Sequence, residues 1–164
     1  MAKPLVIILM GSRADLEHCQ KIAEACSQYG LETIMRVGSA HKTPEHVLKL
    51  LSEYVADPRP KVYITVAGRS NALSGLTDGA VSAPVIACPP SSDSFGGADV
   101  YSSLRMPSGI APALVLEPAN AALLAAKMLG LVDEQVKDAV TRSQKRQAEK
   151  VLEADEGARG QVIR

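Results

Sequence analysis

Continuous apolar runs alternate along this chain with stretches in which apolar residues recur every three or four positions. Pro4–Met10 is an unbroken apolar run, the pattern of a parallel strand covered on both faces. Ala14–Tyr29 has helical spacing through Leu16, Cys19, Ile22, Ala23 and Cys26, with Gly30 as the stop. Leu31–Val37 reads as the second strand. Pro44–Tyr54 predicts a helix with Val47, Leu48, Leu51 and the Tyr54-Val55 pair on one face. Thr43 stands there as the cap and Pro44 at the first helical position, and Pro58 and Pro60 close the segment. Val62–Ala67, Ala83–Cys88 and Ala111–Leu116 read as the third, fourth and fifth strands, with a short helix over Asn71–Ala80. Pro118–Leu131 and Asp133–Glu153 are two more helices, and the chain reads as frayed from Ala154.

Repeated βα units imply a parallel sheet with helices on both faces. The fold expected is α/β, a three-layer αβα sandwich around a flavodoxin-like parallel five-stranded sheet of order 2-1-3-4-5, with an extra C-terminal helix. Residues 1–164 read as a single domain. Its core covers about 4–131, and the helix over about 133–153 is a contact element for other copies or a helix packed on its own domain. In this arrangement the loops after strands one to four share one edge: Gly11–Asp15, Gly38–Thr43, Gly68–Gly75 and Pro89–Pro107. The last of these is the least regular stretch, and a loop that long in a compact domain suits a ligand cover or a disordered linker.

Composition narrows the function classes. The 18 basic and 18 acidic residues balance, which gives no basic footprint for nucleic acid or an acidic membrane. One Phe, four Tyr and no Trp leave little for base or flavin stacking. No apolar run approaches the roughly 20 residues that span a bilayer, and the opening run is too short for a signal peptide. Cys19, Cys26 and Cys88 lack CxxC spacing and read as reduced thiols in a cytoplasmic protein.

Chemistry concentrates in the loops. Gly38-Ser39-Ala40-His41-Lys42-Thr43-Pro44 sets a histidine and a lysine at a strand-to-helix turn, where open α/β sheets bind ligands. Histidine suits proton transfer near neutral pH, and lysine suits an anion. Taken alone, His41 also fits a capping or surface histidine. His18 and His46 lie inside predicted helices, and no spacing in the chain suits a metal. Gly11, Ser12 and Asp15 open the first helix, where backbone N–H groups attract phosphate; a capped strand-to-helix turn explains the same residues. Gly68-Arg69-Ser70-Asn71 offers flexible backbone, hydroxyl, guanidinium and amide groups, or simply a helix start. Asp93–Gly109, with Asp99 and Arg105, suits a closing loop or a solvated linker.

Together these segments resemble the aminoimidazole ribonucleotide carboxylase family of purine biosynthesis. Met10-Gly11-Ser12 with Asp15, Ser39-Ala40-His41, Met106-Pro107-Ser108-Gly109-Ile110 and Asn120–Ala126 carry the resemblance, which spans Leu5 to about Leu131. The family has a direct carboxylase branch and a mutase branch acting on N5-carboxyaminoimidazole ribonucleotide. Lys42, the Gly68–Gly75 segment and Ser102–Gly109 look like the direct carboxylase. Ala14 stands where many mutases carry Ser.

The resemblance implies a carboxy-lyase that joins carbon dioxide to carbon 4 of aminoimidazole ribonucleotide, with His41 as general acid/base. It implies no biotin, ATP or metal. Ser12 and Asp15 would hold the ribose phosphate portion, Ser39 and Lys42 the nucleotide, and Gly68 and Ser70 the base and carboxylate region. Gly11, Arg69 and Asn71 are further contacts. Apart from the resemblance, the loop through Asp99 and Arg105 reads as a gate on the site or on the carbon dioxide pocket. Family members assemble as homo-oligomers, octamers or tetramers. The rival readings are the mutase, a noncatalytic nucleotide- or flavin-binding module, and an interaction protein whose loops only assemble an oligomer.

Overall fold

The computed structural model describes residues 3–91 and 94–159. Its sheet has five strands: β1 (Leu5–Met10), β2 (Glu32–Val37), β3 (Lys61–Val66), β4 (Val85–Ala87) and β5 (Ala113–Leu114). They run in the order β2-β1-β3-β4-β5, and every pair is parallel. The expected order is thus the observed one. All six residues of β1 are buried, because alternate side chains enter two separate cores. Val6, Ile8 and Met10 face a core built with α1 (Leu16–Ser27), α4 (Pro118–Leu129) and the first turns of α5 (Glu134–Ala158). Leu5, Ile7 and Leu9 face the other, with α2 (Pro44–Val55) and Leu73 of α3 (Ala72–Ala80). These are the three layers of an αβα sandwich.

The departures from the sequence expectation have local causes. Strand β5 is shorter than Ala111–Leu116. Ala111 donates its N–H to the Asp78 carboxylate at 2.7 Å, and Pro112 has no N–H to give a ladder. Strand β4 likewise starts after Pro84. The stretch after β4 is not irregular throughout, since Ser94–Ser103 winds as a 3₁₀ helix; Asp93 lies outside the described residues. Helix α5 does not fray at Ala154 but continues to Ala158. Good helix formers and i,i+4 pairs such as Lys145 with Glu149 and Asp155 with Arg159 carry it past its last apolar position.

Among the described residues no helix is long and apolar enough to cross a membrane.

Candidate functional site

Each strand of a parallel sheet ends on the same edge, and the next helix begins there. Residues from the turns after β1, β2 and β3 line one cavity of about 440 Å³ at this edge, a volume within the range of small-ligand sites. Its walls carry Gly11, Ser12, Ala14 and Asp15; then Ser39, Ala40, His41 and Lys42; then Ala67, Gly68, Arg69, Ser70 and Leu73.

The first wall is a tight turn. Ser12 accepts the Ala14 N–H at 3.2 Å on its Oγ, which winds Arg13–Asp15 into a 3₁₀ turn. Asp15 then occupies the cap position of α1 without making a cap hydrogen bond. Among the described residues its carboxylate has one weak hydrogen-bond partner, the Ser12 hydroxyl at 3.4 Å.

The second wall closes on itself. Thr43 does not cap α2 with its side chain. Its Oγ1 accepts the Ser39 N–H at 3.0 Å and donates to the Ser39 carbonyl at 3.3 Å. The Thr43 N–H reaches the same carbonyl at 2.9 Å, and the Lys42 N–H reaches Ser39 Oγ at 3.2 Å. These bonds close the loop on itself, with Ala40 half-buried against the core and His41 and Lys42 beyond it. The Ser39 hydroxyl accepts from Lys42, so its own proton is free to donate. His41 and Lys42 are exposed.

The third wall contains the one non-glycine residue with positive φ among those described, Arg69 at 58°. Asn71 caps α3, accepting the Ser74 N–H at 3.3 Å. Asn71 is buried and does not line the cavity; neither Asp99 nor Arg105 lines it. Asp99 instead accepts the Arg69 N–H at 3.1 Å. Asp99 and Ser102, from the segment after β4, brace the third wall.

Charge favours an anion. Lys42 and Arg69 face the cavity with Asp15 as the only carboxylate, and neither cation has an ion-pair partner among the described residues. The N-termini of α1 and α2 point at the same edge without side-chain caps, adding partial positive charge. The other histidines are committed elsewhere. His18 Nε2 lies 3.1 Å from the Cys88 carbonyl, and burial pushes its pKa down. His46 Nε2 lies 3.2 Å from the Val37 carbonyl. No group of three or more metal-ligating side chains occurs among the described residues.

The sequence reading brought His41, Ser12, Asp15, Ser39, Lys42, Gly68, Ser70, Gly11 and Arg69 to this cavity. It missed the apolar lining, Ala40, Ala67 and Leu73. Small residues and a helical leucine give no sequence signal of their own; only the crossing of three turns exposes them.

Comparison with known proteins gives one consistent match. The family model described as AIR carboxylase matches residues 5–150. A phosphoribosylaminoimidazole carboxylase of Treponema denticola is 60% identical over 153 residues, covering 93% of this chain and 96% of that one. One of Archaeoglobus fulgidus is 52% identical, covering 93% and 84%. The crystal structure of Treponema denticola PurE superposes with a TM-score of 0.94 at 58% identity, covering 96% of this chain and 99% of that one.

Proposed function

This chain belongs to the AIR carboxylase family, and from that membership we propose that it carboxylates 5-aminoimidazole ribonucleotide at carbon 4 with carbon dioxide, His41 moving the proton. One arrangement carries the reading: His41 faces the same cavity as two unpaired cations, one carboxylate and the hydroxyls of Ser12, Ser39 and Ser70.

The aminoimidazole ring is an enamine, so its carbon 4 is nucleophilic. Its electron pair forms the new bond to the carbon of carbon dioxide, and one C=O π pair moves onto oxygen as carboxylate. Carbon 4 then bears both a proton and the carboxylate. Neutral His41 takes that proton, the C–H pair returns to the ring, and aromaticity is restored. In reverse, protonated His41 delivers its proton to carbon 4 and carbon dioxide leaves. The step balances without ATP or biotin.

Lys42 and the uncapped starts of α1 and α2 bind the phosphate. Asp15 accepts a ribose hydroxyl. The Gly68–Ser70 turn holds the base and the incoming carboxyl group. The enzyme works as a homo-oligomer in the cytoplasm.

The test is carboxylation of aminoimidazole ribonucleotide with dissolved carbon dioxide and no ATP. We expect turnover by the wild type, and His41→Asn to lower kcat by about 10²–10⁴-fold. Turnover only of N5-carboxyaminoimidazole ribonucleotide would assign the mutase reaction. Activity on neither would overturn the enzymatic reading.

A further inference from the structure

The turn between β3 and α3 holds an unfavourable conformation. Arg69 sits at φ 58°, a region that a side chain with Cβ disfavours and that persists only when its surroundings impose it. What imposes it comes from the distant 3₁₀ segment Ser94–Ser103. The Arg69 N–H donates to Asp99 Oδ2 at 3.1 Å. The Ser102 hydroxyl has two acceptors within reach of its single proton, the Asp99 carbonyl at 2.8 Å and the Arg69 carbonyl at 3.0 Å. The same oxygen accepts the Asn71 N–H at 3.1 Å. Beneath it, Asn71 Nδ2 donates to Ser103 Oγ at 2.8 Å, in a buried bond. Arg69 and Asn71, on either side of Ser70, are thus tied to Asp99, Ser102 and Ser103.

The opposite edge of this turn is the cavity. Gly68, Arg69 and Ser70 line it, whereas Asp99, Ser102 and Ser103 do not. Neither Gly68 nor Ser70 has a hydrogen-bond partner among the described residues. The hydrogen bonds that hold this turn come through the residue between them and the one after it.

We infer that Asp99 and Ser102 are positioning residues: they hold Arg69 left-handed and so fix the Gly68–Ser70 wall at which the carboxyl group is transferred. That this wall receives the carboxyl group rests on the function proposed above; the clamp itself rests only on the bonds just described. The phosphate end of the cavity, at Ser12, Asp15 and Lys42, is built from other turns. Loosening the clamp should therefore affect turnover more than nucleotide binding. The wall must be held closely, because small misplacements of binding groups are costly to rate.

The experiment compares Ser102→Ala and Asp99→Ala with the conservative Ser102→Thr and Asp99→Asn, which keep a hydroxyl and an acceptor oxygen. Expected for each alanine variant is a fall in kcat of about tenfold, with KM for the nucleotide within about threefold of wild type. Each should also show faster hydrogen exchange in a peptide covering 68–72 of the ligand-free protein. The conservative variants should recover most of both losses. In an Arg69→Gly background, where positive φ carries no penalty, Ser102→Ala should cost markedly less than in the wild type.

Wild-type kcat and exchange in both alanine variants would overturn the proposal. So would a loss that neither Thr nor Asn recovers, or that is as large in the Arg69→Gly background. A wild type inactive on either donor would overturn the proposed function instead. Exchange at 68–72 would then decide the clamp by itself.

Discussion

Burial governs the three thiols. Cys19, Cys26 and Cys88 are fully buried, and loss of solvation pushes each up to about 12. The same cause pushes Tyr63 to about 12. The neutral forms favour the fold, and that contribution is complete below the pKa of the unfolded groups, about 8.5 for Cys and 10 for Tyr. Above those values the unfolded chain loses protons that the folded chain keeps, so stability falls as pH rises toward about 12. Denaturant midpoints should drop between pH 8 and pH 10.5, and Cys26→Ala should make that drop shallower. At pH 8 the native thiols should react with an alkylating agent far more slowly than the unfolded ones. Lys42 makes a different prediction. It is an exposed ammonium without an acidic partner among the described residues, and the function proposed above gives it the phosphate. Lys42→Met should raise KM for the nucleotide about tenfold with little change in kcat, the signature of lost uniform binding. A matching fall in kcat would instead give Lys42 a part in the chemical step.

At the scale of elements, the fit between β2 and α2 decides where His41 stands. Gly38 ends the strand with its backbone against the helix, and a Cβ built there would lie 2.8 Å from Val47 Cγ2. Val47 is fully buried, and its branched side chain has little freedom to turn aside. Gly38→Ala should force α2 off the sheet and destabilise the fold by about 1–3 kcal/mol, read as a lowered denaturant midpoint. It should also lower activity, because the Ser39–Thr43 loop moves with the helix. This glycine was legible in the sequence as part of the motif, but its reason was not, since the crowding atom lies across a helix–strand contact. The 3₁₀ segment was less legible still. Its residues have no helical apolar period, and what orders them are hydrogen bonds to Arg69 and Asn71 some 30 positions away.

At the scale of the molecule, α5 is packed on its own domain only in its first turns. Val136, Ala139 and Val140 are buried against α4, whereas Val151 and Leu152 are 69% and 64% exposed. Leu131 and Val132, at the α4–α5 corner, are exposed as well. A helix gains most of its stability from a packed apolar face, and the second half of α5 has none among the described residues. The homo-oligomer proposed above predicts a second copy of the chain over Val151 and Leu152. Val151→Asp with Leu152→Asp should shift the sedimentation of the protein to a smaller species and leave the spectrum of the sheet unchanged. An unchanged sedimentation coefficient would remove α5 from the interface.

The sequence by itself determined the layers and the turns that carry chemistry, whereas the strand order rested on analogy with flavodoxin-like sheets. Continuous apolar runs separated by amphipathic segments admit few arrangements other than a parallel sheet between helices, and such a sheet gathers its turns on one edge. It also determined His41, Lys42, Ser39, Ser12 and Asp15 as a group, since each falls in a turn at that edge. Only the tertiary structure decided which residues of the third and fourth turns face the cavity and which brace it. Asn71 belongs to the same polar segment as Arg69 and Ser70, and Asp99 to the polar segment after β4, yet neither lines the cavity. That choice depends on hydrogen bonds between turns far apart in the chain, and no local pattern of residues encodes them.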